Sequence, residues 1–262
     1  MFGVKLKTEP AFYDEYNQPC YPVSQDKGLA ENEREQLTED AISEGYITEI
    51  TNQLLRVIKR EVQAETEGRL VDVLEIGGGD GYFFDWVQDS VRSYINVEPG
   101  KVTLNEQGLQ RINSPRYQCV RCSAESIPLY DESADIILAL GSFDHIPDYR
   151  KAVGEIKRLL RKDGVFILLM NNRRSWWKFL LSRTDYLRHR EEEISREHYI
   201  QWSLNECEDR LSEFMPVSRI FSTTFFPFVP KLWQLCLPVS NIVGGLFRSR
   251  YGGNIIAVCR KS

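Results

Sequence analysis

A glycine-rich turn and a carboxylate stand at the ends of two predicted strands, where they could bind a nucleoside-like ligand. The run Leu70–Ile76 (LVDVLEI) leads directly into Gly77-Gly78-Gly79-Asp80-Gly81. Glycine has no Cβ atom, so a ligand can approach the main chain closely at such a turn. The next β-branched run, Ser93–Val97 (SYINV), is followed by Glu98. A carboxylate can accept hydrogen bonds from two vicinal hydroxyl groups, such as those of a ribose.

The rest of the chain supplies elements that would bring these residues together. Short β-branched runs alternate with segments of helical periodicity. The predicted strands are Leu70–Ile76, Ser93–Val97, Tyr117–Arg121, Ala134–Leu140 and Val165–Met170, and the predicted helices are Leu37–Ala64, Tyr82–Val91, Lys101–Arg111 and Asp148–Arg161. This alternation predicts an α/β fold in which a doubly wound, mostly parallel sheet carries helices on both faces. A helix at Leu204–Phe214 and strands at Val217–Phe225 and Asn254–Val258 would complete seven strands.

Two long connections interrupt this regular order. Residues 1–36 are polar, contain scattered prolines and predict an irregular N-terminal arm. Residues 37–262 are predicted to form one domain, with helical or apolar cap insertions at about 171–197 and 226–253. Insertions of this length in a compact domain usually form lids or binding loops.

Five sequence motifs resemble those of one enzyme family, in that family's order. VLEIGGGDG resembles the first motif of class I S-adenosylmethionine-dependent methyltransferases, and the motifs that follow it are INVEP, CSAESIP, ADIILALGSFDHIPD and EIKRLLRKDGVFILL. The likeness runs from about Val71 to Met170 and is close to the subgroup that methylates small molecules, sugars and lipids. It implies a Rossmann-like methyltransferase fold and S-adenosyl-L-methionine as the cofactor.

The resemblance also implies roles for individual residues. Glu98 would hold both ribose hydroxyls, and Glu75 would position the glycine turn or meet the amino group of the ligand. The full set of implied cofactor-binding residues is Glu75, Gly77, Gly79, Glu98, Ser123, Ala124, Glu125 and Gly141. One position departs from the family pattern, because Ser123 stands where an aspartate commonly accepts a hydrogen bond from the adenine amino group.

Two histidines are candidate general bases for a methyl transfer. Positioning of the two substrates supplies much of the rate of such a displacement, so a base is needed only when the acceptor is a poorly ionised hydroxyl. His145 follows the fourth predicted strand, and the resemblance places it near the ligand. A structural role in packing that turn is the competing interpretation. His198, just before the Leu204 helix, is the second candidate.

The bulk composition bears on partners and location. A net charge of −5 argues against a nucleic acid as the main partner, because such binding draws on dense positive charge. The six cysteines are scattered and complete no zinc motif, so we expect reduced thiols in a cytoplasmic protein and no bound metal. The apolar stretch 226–247 contains prolines, and suggests either an acceptor with hydrophobic surface or peripheral contact with a membrane.

These observations favour a methyltransferase that acts on a small-molecule, sugar or lipid-linked acceptor, with O-methylation preferred by analogy. Two alternatives stay open. One is a binding module that keeps the S-adenosylmethionine site but has lost catalysis, inside a larger assembly. The other is a nicotinamide-dependent oxidoreductase, against which Tyr82 counts because it replaces the third glycine of the dinucleotide motif.

Overall fold

The structure, a computed structural model, describes residues 52–99, 106–175, 199–224 and 250–262. The predicted arm at 1–36 and most of the two predicted cap insertions lie outside the described residues. His198 and the stretch 226–247 lie outside them as well.

Seven strands form one sheet within the described ranges. They are β1 (Val71–Ile76), β2 (Val91–Val97), β3 (Tyr117–Val120), β4 (Ala134–Leu140), β5 (Leu160–Asn171), β6 (Val217–Thr223) and β7 (Asn254–Arg260). The strand order is β3-β2-β1-β4-β5-β7-β6. The first five strands in this order are parallel, and β7 runs antiparallel to both β5 and β6. The predicted mostly parallel, seven-stranded α/β fold is therefore confirmed.

Helices cover both faces of this sheet. They are α1 (52–66), α2 (Phe84–Val87), α3 (Glu106–Ile112), α4 (Tyr149–Leu159) and α5 (Leu204–Ser212). Successive strand residues point to opposite faces, so neighbouring residues of one strand join different cores. Leu74 of β1 lies in a buried cluster with Ile156 of α4, whereas Val73 lies in a second cluster with Ile58 of α1.

The helix before β5 begins and ends for local reasons. The Asp148 side chain caps α4 by accepting a hydrogen bond from the Lys151 N–H at 3.2 Å. Apolar residues of α4 recur every three or four positions and are fully buried, namely Ala152, Val153, Ile156 and Leu159. A side-chain cap of this kind stabilises a helix by about 1 kcal/mol, so Asp148 fixes where α4 starts behind the sheet.

Several element boundaries differ from the predicted ones. The helix predicted over Tyr82–Val91 is a single α-helical turn, Phe84–Val87, followed by a 3₁₀ turn at Gln88–Ser90. It ends early because Val91 already pairs with Val71 of β1. Strand β5 starts at Leu160 instead of Val165, since Leu160 pairs with Ala134 before an irregularity in the ladder. Helix α4 accordingly ends at Leu159.

Candidate functional site

A cleft of about 740 Å³ opens where the chain leaves β1, β2 and β4. The carboxyl ends of parallel strands meet at one edge of the sheet, so the loops that follow them converge there. The residues that line the cleft are Ile76, Gly77, Val97, Glu98, Pro99, Ser123, Ala124, Glu125, Gly141, Ser142, His145, Ile146, Pro147, Asp148 and Lys151. A concave site of this size at this edge is typical of small-molecule binding.

The glycine turn after β1 needs a glycine at its first position. Gly77 has a φ of +66°, a left-handed conformation that favours glycine. A Cβ atom on Gly77 would lie 2.4 Å from Cβ of Ser142, which follows β4. The Ser142 hydroxyl in turn donates a hydrogen bond to the carbonyl of Ile76. The turns after β1 and β4 therefore touch, and only a residue without a side chain fits between them.

One face of β2 carries three polar side chains toward this turn. Tyr94 and Asn96 alternate along the strand, so they point to the same side of the sheet, and Glu98 directly follows the last strand residue at the same spacing. Tyr94 and Asn96 are fully buried, whereas Glu98 lines the cleft. The Gly79 N–H donates a hydrogen bond to Oε2 of Glu98 at 3.1 Å. The carboxylate therefore contacts the glycine turn directly, at the edge of the cleft.

An arginine holds the outer side of the same turn. Arg111 of α3 is only 4% exposed, and its guanidinium donates to the carbonyl of Asp80 at 3.1 Å and to the Asp80 carboxylate at 3.0 Å. It also donates to the Asp85 carboxylate at 2.9 Å. Charged partners of this kind form stronger hydrogen bonds than neutral ones. Arg111 therefore ties the glycine turn to the short helix that follows it.

The Glu75 carboxyl lies beneath the turn rather than in the cleft. Its Oε2 accepts a hydrogen bond from the Tyr94 hydroxyl at 2.5 Å. Burial raises the pKa of Glu75 from 4.5 to about 7, with further contributions from the nearby Asp80 and Glu98 carboxylates. The Tyr94 hydroxyl and Arg111 act in the opposite direction. The burial of this carboxyl beneath the turn and its hydrogen bond to Tyr94 support a role in positioning the turn.

The loop after β3 forms the opposite wall of the cleft. Ser123, Ala124 and Glu125 all line it, and Ala124 is 7% exposed. Oε1 of Glu125 accepts a hydrogen bond from the Asp148 N–H at 3.4 Å. This contact connects the loop to the start of α4 and so fixes the part of the cleft wall that contains the small Ala124 side chain.

The turn after β4 forms the floor of the cleft. Gly141 and Ser142 lead into a 3₁₀ turn, Phe143–His145, and His145 is an exposed residue of the cleft wall. The preceding Asp144 is 1% exposed, and its Oδ2 accepts hydrogen bonds from the main chain and the side chain of Asn171, at 3.4 and 3.3 Å. The end of β5 therefore anchors the turn that presents His145.

Most of the residues singled out from the sequence converge on this cleft. Gly77, Glu98, Ser123, Ala124, Glu125, Gly141 and His145 line it. Gly79 contacts Glu98 without lining the cleft, and Glu75 lies behind the turn. His198 is outside the described residues. Among the described residues, no group of His, Cys, Asp and Glu side chains could hold a metal ion.

Sequence reasoning missed four residues that shape this site. Asn96 and Arg111 bind the glycine turn, Ser142 packs against it, and Lys151 lines the cleft. Asn96 alone had a visible signal, because it is a polar residue between the apolar Ile95 and Val97. Arg111 reaches Asp80 across 31 positions, a contact that no local pattern contains.

The central part of the chain is similar to known methyltransferases. Residues 74–168 match the family model described as a methyltransferase domain. An uncharacterized methyltransferase of Mycobacteroides abscessus is 37% identical over 98 residues, which are 37% of this chain and 38% of that protein. The alignment with a Bacillus subtilis relative, the uncharacterized methyltransferase YcgJ, is 35% identical and spans 37% of this chain and 39% of that protein. The chain thus spans well under half of the length of the curated relatives that it matches.

Solved structures share the fold over a longer stretch. The crystal structure of YcgJ superposes with a TM-score of 0.54 at 19% identity, over 80% of this chain and 98% of that chain. A phosphoethanolamine N-methyltransferase of Haemonchus contortus, solved in complex with S-adenosyl-L-methionine, gives a TM-score of 0.54 at 14% identity. That match covers 74% of this chain and 49% of the other. At these identities the likeness establishes the architecture alone.

Proposed function

We propose that the whole chain is an enzyme that transfers a methyl group from S-adenosylmethionine, because residues 74–168 match the family model of a methyltransferase domain. The observation that carries the proposal is the placement of Glu98. Its carboxylate lies at the end of β2, faces the glycine turn and lines a cleft of about 740 Å³. This volume is within the usual range for small-molecule sites.

The donor fits the residues on both sides of the cleft. Glu98 would accept hydrogen bonds from the two ribose hydroxyls, and the Gly77 main chain would lie beside the amino-acid portion of the donor. Ala124 would border the flat adenine ring, and Ser123 would offer a hydroxyl in place of the family's aspartate. S-adenosylmethionine supplies an activated methyl group on a positively charged sulfur. The protein's share of the rate comes from holding the two substrates in line and excluding water.

The acceptor is proposed to be a small molecule, a sugar or a lipid-linked glycan. His145 stands on the cleft wall at the end of β4, where a base could take the proton of an acceptor hydroxyl as the new bond forms. This position favours O-methylation. The apolar stretch 226–247 remains a predicted contact for a hydrophobic acceptor or a membrane. Within the described residues, no helix combines the length and the apolar character that a membrane crossing requires.

A cytoplasmic location is part of the same proposal. Four described cysteines, Cys119, Cys122, Cys207 and Cys259, form no disulfide. Thiols that stay reduced are typical of proteins in a reducing compartment.

A ligand-binding comparison tests the cofactor assignment. S-adenosylmethionine is expected to raise the melting temperature of the purified chain, and NAD is not. Glu98→Ala is expected to remove most of that shift. Asp209→Ala, which deletes an exposed carboxylate of α5 that does not line the cleft, is the matched control and should keep the shift. A larger shift with NAD would reject the assignment.

A turnover assay tests the reaction. S-adenosylhomocysteine is expected to accumulate when the chain is supplied with S-adenosylmethionine and small-molecule, sugar or lipid fractions from cell extracts. Donor binding without turnover in any fraction would favour the binding module that lacks catalysis. Turnover only with a nucleic-acid or protein fraction would contradict the proposed acceptor class.

A further inference from the structure

A buried asparagine forms hydrogen bonds with the main chain of the glycine turn. Asn96 of β2 is 0% exposed. Its Oδ1 accepts a hydrogen bond from the Gly78 N–H at 3.1 Å, and its Nδ2 donates to the Gly79 carbonyl at 2.9 Å. Nδ2 also donates to the Tyr117 hydroxyl at 3.1 Å. The side-chain amide therefore satisfies one main-chain donor and one main-chain acceptor of the turn at the same time.

The chemistry of this position requires an amide. A carboxylate would place a second oxygen against the Gly79 carbonyl, and an aliphatic side chain would leave two main-chain polar groups without their buried partners. Rotating the amide by half a turn would set Nδ2 against the Gly78 N–H, so the two hydrogen bonds also fix its orientation. The Tyr117 hydroxyl from the neighbouring β3 holds Nδ2 in place.

The same turn residue connects Asn96 to the cleft. Asn96 holds the Gly79 carbonyl, and the Gly79 N–H donates to the Glu98 carboxylate at 3.1 Å. The peptide groups on both sides of Gly79 are thus fixed, one by a buried side chain and one by a side chain of the cleft. Displacement of Gly79 would move the hydrogen bond that orients Glu98.

We propose that Asn96 is a positioning residue for donor binding, which acts through Gly79 on the carboxylate of Glu98. This inference rests on the proposed function, because the ligand that Glu98 holds is S-adenosylmethionine. Asn96 does not line the cleft, and it sets donor affinity by fixing the turn in its binding shape.

The test compares two buried asparagines whose side chains both form hydrogen bonds with main-chain groups. Asn172 is also 0% exposed, and its Nδ2 donates to the carbonyls of Arg250 and Gly252 at 3.0 and 2.7 Å, away from the glycine turn. Leucine has nearly the shape of asparagine and removes these hydrogen bonds without adding charge. Asn96→Leu is expected to weaken S-adenosylmethionine binding about tenfold or more by calorimetry, whereas Asn172→Leu should change it less than about twofold.

A double-mutant cycle separates positioning from a general loss of stability. Asn96→Leu should weaken binding much less in a Glu98→Gln background than in the wild type, because both changes disable the same contact. The amide protons of Gly78 and Gly79 should also exchange faster in Asn96→Leu than in Asn172→Leu. If Asn96→Leu does not fold, Tyr117→Phe removes one support of Nδ2 and should weaken binding by roughly twofold to fivefold.

Three results would overturn the inference. The first is an unchanged affinity for S-adenosylmethionine in Asn96→Leu, or in Tyr117→Phe if that variant replaces it. The second is an equal loss of affinity in Asn172→Leu. The third is full additivity of the affinity losses of Asn96→Leu and Glu98→Gln. Each of them would leave the proposed function intact, because the wild type would still bind the donor. A wild-type chain that binds no S-adenosylmethionine would overturn both proposals together.

Discussion

Replacing Glu75 by glutamine is expected to remove a loss of stability that the wild type undergoes as pH rises from about 4.5 to about 7. The side chain is 2% exposed and accepts a hydrogen bond from the Tyr94 hydroxyl. Burial is the largest cause of its raised pKa, and nearby carboxylates add to it. Glutamine keeps an acceptor oxygen for Tyr94 and carries no charge at any pH.

The magnitude follows from the shift in pKa. The folded protein holds the Glu75 proton more tightly than the unfolded chain does, so this group contributes its stability below the unfolded-state pKa and loses it as pH rises through the folded-state pKa. Each pKa unit corresponds to about 1.4 kcal/mol, so a rise from 4.5 to about 7 amounts to about 3 kcal/mol. This change of stability with pH is opposite in sign to that of a carboxylate in an ion pair, which stabilises the fold more as pH rises.

Urea unfolding at a series of pH values measures this effect. The free energy of unfolding of Glu75→Gln, minus that of the wild type, should increase by about 3 kcal/mol between about pH 4.5 and about pH 8. Glu155→Gln is the control, because Arg158 lowers the pKa of Glu155 and confines its effect to more acidic pH. A Glu75→Gln difference that stays constant over this range would refute the assignment of a raised pKa to the buried carboxyl.

Four further substitutions probe the turn and the cleft. Gly78→Ala places a Cβ atom 2.3 Å from the Glu75 carboxylate and should cost about 1–3 kcal/mol of unfolding free energy. Gly79→Ala meets no atom within 4 Å and should cost about 1 kcal/mol from its left-handed φ alone. Equal urea midpoints for the two variants would contradict this ranking. Arg111→Met removes the ion-pair partner of the Asp80 and Asp85 carboxylates, so it should lower both stability and donor affinity measured by calorimetry. An unchanged dissociation constant would show that the turn holds its shape without Arg111. His145→Gln should lower kcat/KM roughly 100-fold with donor affinity unchanged, because it removes the base. A lower melting temperature with unchanged kcat/KM would instead show a packing role.

The fold could be predicted because its periodicity is strong and local. Strand β1 is buried at all six positions, and its β-branched residues end directly at glycines. The boundaries were less predictable, since they depend on pairing partners elsewhere in the chain. Val91 joins the sheet because Val71 is its neighbour, and Leu160 joins because Ala134 is. Neither partner is visible from the residues around the boundary.

The cleft-lining part of the site was predictable for a different reason. Gly77 and Glu98 stand at strand ends, and strand ends of a parallel sheet meet at one edge. The supporting residues depend on distant contacts, so they were not predicted. Arg111 was expected only as part of a helix, yet it holds Asp80 and Asp85. Sequence motifs thus identify the residues that line the cleft better than those that hold them in place.

A crystal structure of the chain with S-adenosylhomocysteine would test the donor site most directly. We expect density for S-adenosylhomocysteine in the cleft, with both ribose hydroxyls within about 3 Å of the Glu98 carboxylate oxygens. The adenine should lie against Ala124, and the amino-acid portion beside Gly77. A ligand bound elsewhere, or a Glu98 carboxylate turned away from the ribose, would contradict it.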